Sequence, residues 1–247
     1  MRSRTSDLRL VAAAGTLLAL ALGAAPPPAL DADALLAAAD ASRHGVSEGV
    51  MRIRATMRKK GEPPGTAELL VEVKGGDRMR CAFVDGTQKG REILAVGDKT
   101  WLLVPGASRP ISVSANQKLL GGASLGEIGR LRLAETYTAR VRQQTEELDG
   151  VPCVVLDLAA KQRKAQYPKG VLWMGKADRL PRRLTLSLPS GKDAKDIRYV
   201  AFDREGGKTV LRRMEVRHLL FSERGTETTL EFQSYEARPV PDERFEP

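Results

Sequence analysis

The chain has little of what builds metal centres or stacking platforms. Of its 247 residues two are Cys, two are His and 4% are aromatic. Zinc sites of the Cys/His kind need three or four ligands at short spacing. Cys81, Cys153, His44 and His218 stand far apart, so no metal and no cofactor is expected. Scarce aromatics argue against a surface that stacks the bases of single-stranded nucleic acid. Beyond residue 25 there is no apolar run of the ~20 residues a membrane-spanning helix takes. The rest of the composition, 42% hydrophobic and 29% charged, excludes collagen, coiled coil and wholesale disorder. The length suits one domain, or two small ones, with a sizeable core.

The N-terminus reads as an address. Arg2, Arg4 and Arg9 precede the uncharged apolar run Leu10 to Leu22, and Gly23, Ala24 and Ala25 suit a cleavage site. Thirteen residues are short for a spanning helix. Residues 1–25 are therefore expected to be a secretory signal, 26–32 (PPPALDA) a stiff spacer, and 33–247 the working domain. No Cys follows the run to carry a lipid, so the expected compartment is the periplasm, with the protein free of a lipid anchor. Export makes nucleic acid an unexpected partner. The net charge of +9 reads either as a solubility device or as attraction for anionic lipid or an acidic partner. Export also permits a bridge between Cys81 and Cys153. The alternative is two separate buried thiols, since free Cys packs as a small hydrophobe.

Residues 33–44 (DALLAAADASRH) carry Leu35, Leu36 and Ala39 at helical spacing, and Gly45 would end the helix. From there the period changes to two, the strand signature. Met51, Ile53, Ala55 and Met57 share one face of a strand, with Arg52, Arg54, Thr56 and Arg58 on the other. Ala67, Leu69, Val71 and Val73 repeat the pattern. Gly75-Gly76-Asp77, Gly97-Asp98 and Asp149-Gly150 read as tight turns. The rhythm breaks over 115–131 (ANQKLLGGASLGEIGRL), which reads as a mobile, Gly-rich loop with a short helical turn. It resumes through to TTLEFQSYEA. About eleven strands with short connections predict one curved antiparallel sheet. Its apolar face must close on itself or be covered, because exposing it would cost tens of kcal/mol at ~25 cal/mol per Å². The helix and the 115–131 loop are the available covers. The outcome is either a ligand-holding concavity or a filled barrel.

Catalytic patterns are weak. Gly122-Ala123-Ser124-Leu125-Gly126 matches G-x-S-x-G, but a nucleophile elbow needs a buried parallel strand before the Ser and a helix after it. SANQKLLG does not read as such a strand, and His218, the downstream His, lies inside a strand. Gly207-Lys208-Thr209 lacks the earlier Gly of a P-loop and reads as a turn opening a strand. Glu146-Glu147 and Asp242-Glu243 are adjacent pairs whose side chains diverge. Two basic groups stand out: Lys161, Arg163, Lys164 and Lys169, then Arg179, Arg182 and Arg183. They form either a solvated rim or a surface for anionic lipid or an acidic partner.

The order of these segments resembles the bacterial outer-membrane lipoprotein-sorting proteins, the LolA/LolB-like group. The resemblance runs over residues 33–247. It begins with DALLAAADASRH before GVMRIRATMRKKG and continues through GREILAVGDKTWLLVPGASRPI and the Gly-rich GGASLGEIG. DGVPCVVLDL and VLWMGKADRLPRRLTL follow, and the chain closes with RPVPDERFEP. It implies an unclosed antiparallel β-barrel of about eleven strands, capped by helices, whose apolar cavity takes acyl chains of lipoproteins or lipids. It implies no catalytic residues. A transport partner at the inner or outer membrane follows from the same analogy, and a monomer is expected. On this reading Leu69, Val71, Trp101, Leu103, Trp173, Leu184 and Leu186 line the cavity, with Leu119 and Leu120 as a lid. The alternatives are an envelope sensor or scaffold of the same fold that binds a protein, as the family's anti-sigma-factor binders do, and a hydrolase using Ser124 and His218.

Overall fold

The computed structural model describes residues 30–113, 123–124, 126–220 and 225–247. The expected signal segment 1–25 and the expected lid residues Leu119 and Leu120 lie outside them.

Helix α1 (Ala32–Arg43) opens the chain. Asp31 caps it, its carboxylate accepting the N–H groups of Asp33 and Ala34 at 3.0 and 3.1 Å. Strands β1 (Glu48–Lys59), β2 (Gly65–Lys74), β3 (Arg78–Phe83), β4 (Glu92–Val96), β5 (Lys99–Leu103) and β6 (Ile111–Ser112) follow as a meander. A π-helical turn (Gly126–Arg130) and the short helix α2 (Leu133–Thr136) lead into the second meander. Its strands are β7 (Tyr137–Leu148), β8 (Val151–Ala160), β9 (Lys169–Gly175), β10 (Pro181–Ser187), β11 (Asp193–Glu205), β12 (Lys208–His218) and β13 (Thr226–Ala237). A 3-10 turn, Asp242–Phe245, ends the tail.

All thirteen strands join one antiparallel sheet, rather than about eleven. Its order is β6-β5-β4-β3-β2-β1-β13-β12-β11-β10-β9-β8-β7. Every neighbour is sequential except one: β13 returns to pair with β1, from Gly49 opposite Ala237 to Lys59 opposite Thr226. The two meanders therefore fuse through the first and last strands, and the sheet stays open between β6 and β7. The π-helical turn and α2 lie between β6 and β7 in the chain.

The turns obey their residues. Gly206 and Gly207 sit at φ 57° and 79°, and Asp149 and Gly150 at 50° and 80°. Both pairs have the two positive φ values of the hairpin turn that matches strand twist. Gly207-Lys208-Thr209 is accordingly a turn that opens β12.

Period-two patterning places one apolar face inside. Met51, Ile53 and Ala55 of β1, Leu69 and Val71 of β2, and Cys81 of β3 join Leu156, Leu172, Leu184 and Val216 in a single buried cluster. The outer face carries ion-pair ladders such as Arg54–Glu68 at 2.6 Å and Arg217–Glu227 at 2.8 Å. Both cysteines are buried free thiols. Burial pushes the Cys81 thiol up to about 12, with the Glu92 carboxylate adding to the shift.

A second, smaller cluster lies on the outer face. Val240 and Phe245 of the tail pack on Leu94, with Val96, Trp101 and Leu103 at its margin. Polar groups clamp the tail there. Arg244 embraces the Glu72 carboxylate through Nε and Nη2, and Lys74 and Arg78 both reach Asp242.

Candidate functional site

The concave face is the place where the sheet invites a ligand, and helical elements occupy it. Helix α1 presses Leu35, Leu36 and Ala39 into the main cluster. The π-helical turn adds Ile128, and α2 adds Leu133. Each fully buried side chain of this size contributes roughly 1.5–3 kcal/mol.

Polar bonds tie these covers together. Asp40 of α1 accepts the backbone N–H groups of Leu133 and Ala134, both at 2.9 Å. Arg43 donates from Nη1 to the Leu131 carbonyl at 2.9 Å, and its guanidinium lies over the Tyr199 ring at 5.6 Å. His44 donates from Nε2 to the same carbonyl at 3.1 Å. Burial, then the charges of Arg43 and Arg132, hold His44 down to about 3, so the ring is neutral. Arg130 donates to the Gly97 carbonyl at the turn between β4 and β5. Sequence reasoning weighed His44 as a metal ligand and missed this cluster. The signal that was available is Asp40, a carboxylate on the apolar side of an otherwise amphipathic helix.

Among the described residues the space beneath the helical covers is small. Between Val46, Met51, Val73, Met79 and Ile128 it measures about 10 Å³, room for at most one water. Ligand pockets usually need ~300–1,000 Å³. The larger hollows among the described residues lie on the outer face. One, of about 450 Å³, is lined by Arg54, Glu68, Arg213, Thr229 and Glu231. Another, of about 810 Å³, is lined by Arg140, Arg142, Asp157, Lys169 and Asp193. Both are polar.

The expected lining residues divide by strand parity. Leu69, Val71, Leu184 and Leu186 share the buried concave face. Trp101, Leu103 and Trp173 do not. Trp101 pairs with Leu94, and it and Leu103 flank the tail cluster on the outer face. Trp173 lies outside with its Nε1–H donating to Glu146 at 2.9 Å and Arg183 over its ring at 5.1 Å. The physical reason is that REILAV, KTWLLV and VLWM are apolar on both faces, so period two is lost there. The tail covers the outer side of β4 and β5.

The two basic groups part as well. The β8–β9 loop carries Lys161, Arg163 and Lys164, and Lys169 opens β9. Arg179 and Arg182 lie at the other end of β9 and β10, where Arg182 pairs with Asp178. Arg183 pairs with Asp196 at 2.6 Å on the outer face.

The hydrolase reading loses its frame. Every strand pairing is antiparallel. Ser124 is buried, and its carbonyl accepts the Ile128 N–H of the π-helical turn at 3.3 Å. His218 is buried at the end of β12. Among the described residues no parallel strand is present to support a nucleophile elbow. Among the described residues no group of three or more His, Cys, Asp or Glu could hold a metal, and no helix is long and apolar enough to cross a membrane.

Comparison with known proteins agrees with this architecture. A family described as "uncharacterized protein" matches residues 78–247. No curated protein matches the chain. Among solved structures, a LolA superfamily protein from Nitrosomonas europaea superposes with a TM-score of 0.79 at 24% identity, covering 89% of this chain and 99% of that one. A domain named for outer membrane lipoprotein sorting, from Vibrio parahaemolyticus, superposes at 0.71 with 15% identity, covering 86% and 95%. A DUF1329 family protein from Desulfovibrio piger does so at 0.71 with 16% identity, covering 87% and 95%.

Proposed function

Because the chain belongs to the uncharacterized-protein family that matches residues 78–247 and has the fold of the LolA superfamily, we propose that it is a non-enzymatic carrier of the bacterial envelope. It takes acyl chains of lipoproteins or lipids on the concave apolar face of its open sheet and passes them between membranes. Residues 1–25 export it to the periplasm, and residues 33–247 form the carrier domain.

One observation carries the reading. The concave face is covered by separate helical pieces, α1 before β1 and the π-helical turn and α2 after β6, not by a second sheet. Such covers can lift without breaking any strand pairing. The space of about 10 Å³ among the described residues is too small for an acyl chain, so cargo enters as α1 moves aside. Leu69, Val71, Leu184 and Leu186 then become the lining. Leu119 and Leu120 would act as the lid.

The test is native mass spectrometry on the chain expressed with its own N-terminus in a Gram-negative host and recovered from the periplasm without detergent. Discrete added masses that extract into organic solvent, together with faster hydrogen exchange in α1 of the loaded form, are expected. A clean mass that stays clean when lipid or lipopeptide is offered overturns the carrier. It leaves a filled barrel that binds a protein.

A further inference from the structure

The hairpins at the two ends of the sheet differ in charge. At one end lie the loops β1–β2, β3–β4, β5–β6, β8–β9 and β10–β11. The described loops at this end carry Lys60, Lys89, Arg91 and Arg109 on one half, and Lys161, Arg163, Lys164 and Lys192 on the other. Their acids are Glu62 and Asp85, and both are engaged: Glu62 with Lys59, Asp85 with the Glu68 N–H. At the other end the loops carry Asp77, Asp98, Asp149 and Asp178, and the tail adds Asp242, Glu243 and Glu246. The cations there are Lys74, Arg78, Lys99, Arg130, Lys176, Arg179, Lys208, Arg238 and Arg244, so the two signs are mixed. One end is therefore strongly positive and the other mixed in sign.

The pairing state of the charges follows the same division. At the mixed end several basic side chains are held: Arg244 by Glu72, Arg238 by Glu236, and Arg78 and Lys74 by Asp242. At the positive end Lys60, Lys89, Arg91, Arg109, Arg163 and Lys164 are exposed and form no ion pair among the described residues. Unpaired like charges repel one another, and an opposite surface that gathers them relieves this.

From this asymmetry we infer that the end bearing the β1–β2, β3–β4, β5–β6, β8–β9 and β10–β11 loops docks on an anionic bilayer surface. The distribution favours a surface over a compact anion. Adjacent hairpins at this end are two strands apart, about 10 Å, so the cations are spread along the rim and do not converge on one point. An extended surface can meet several of these loops at once. Juxtamembrane cations each gain affinity from an anionic leaflet, by roughly fivefold per Lys or Arg, and the attraction fades within a Debye length of about 8–10 Å. The mixed end has no comparable excess of positive charge, so the molecule is also oriented. This inference goes beyond the carrier reading and uses none of its evidence.

The experiment is vesicle co-sedimentation of the periplasmic protein. Vesicles contain phosphatidylglycerol mixed with phosphatidylcholine, or phosphatidylcholine alone, at low and high salt. Binding to the anionic vesicles alone, lost at high salt, is expected. The double variants Arg163→Glu/Lys164→Glu and Lys89→Glu/Arg91→Glu should each weaken it by about tenfold or more. The control Lys99→Glu/Lys208→Glu makes the same charge change at the opposite end, on exposed strand starts, and should leave it within about twofold. Circular dichroism of each variant confirms folding. Absence of binding at low salt overturns the inference, and so does an equal loss in the control, which would mean attraction by net charge alone. Capture of polyglutamate with no vesicle binding overturns it in favour of an acidic polypeptide. Failure of lipid uptake in mass spectrometry with vesicle docking intact would strike the carrier reading alone.

Discussion

Asp40 caps a helix that begins ninety-three positions later in the chain. Its Oδ1 accepts the Leu133 N–H at 2.9 Å and its Oδ2 the Ala134 N–H at 2.9 Å. Helix α2 has no cap of its own, because Arg132 stands at that position and makes no side-chain cap bond. Asp40 also pairs with the buried Arg43 at 3.3 Å. Removing the carboxylate loses a cap worth ~1–2 kcal/mol and leaves a buried guanidinium short of a partner. Asp40→Ala should lower unfolding free energy in urea by at least about 2 kcal/mol. Asp40→Asn, which keeps one acceptor oxygen, should cost roughly half as much. Equal stability of all three proteins would show that α2 forms without α1.

His44 gives the fold an acid sensitivity. Its folded value of about 3 lies below the ordinary 6.5. Between those limits the unfolded chain binds a proton that the folded chain refuses. The contribution is complete above pH 6.5 and falls by about 1.4 kcal/mol per pH unit as pH drops toward 3. His44→Asn should remove one proton from the pH slope of stability in that window. Identical slopes for the two proteins would mean that the ring charges without opening the cluster.

Phe245 anchors the tail on the outer face. It is 5% exposed, packs with Leu94 and Val240, and lies under the Arg78 guanidinium at 5.7 Å. Phe245→Ala should cost about 2–3 kcal/mol, the low end for a buried aromatic because the cluster is small. Hydrogen exchange should quicken in β4 and β5 and stay slow in β8 to β10. Uniform quickening over the whole sheet would mean that the tail holds the fold globally.

Gly49 admits no side chain. Its φ is +152°, and a Cβ there would lie 2.1 Å from the Glu236 carbonyl oxygen across the β1–β13 pair. That pair joins the two meanders. Gly49→Ala should cost about 3 kcal/mol or more, combining backbone strain with the clash. Wild-type thermal stability in this variant would refute the tight approach.

The thiols should be silent in the native state. Cys81 is raised to about 12, and burial also raises Cys153. The thiolate is the reactive form. A thiol reagent at pH 8 should label neither residue in the folded protein and both in denaturant without reductant. A missing label in denaturant would reveal a bridge.

Much of the sheet could be read from the chain because each strand records its environment in its alternation. Met51, Ile53 and Ala55 face in and Arg52 and Arg54 out because water lies on one side only. The helix read at 33–44 forms at Ala32–Arg43 for the same reason. Reading failed where both faces are dry. Trp101, Leu103 and Trp173 sit in continuous apolar runs, and one residue of parity reverses the face. The occupancy of the concave face was equally hidden, because no local pattern says how far α1 sinks into the sheet.

By itself the sequence determined a mainly β chain with one sheet and a helical cover, since hydrophobic period, turn residues and composition act locally. The tertiary structure alone decided three things. It joined β13 to β1 and left β6 and β7 apart, because strand order depends on contacts far along the chain. It placed the tail over β4 and β5. It also sorted the hairpins by charge, gathering an excess of cations at one rim, because alternate loops of a meander emerge at opposite ends of the sheet.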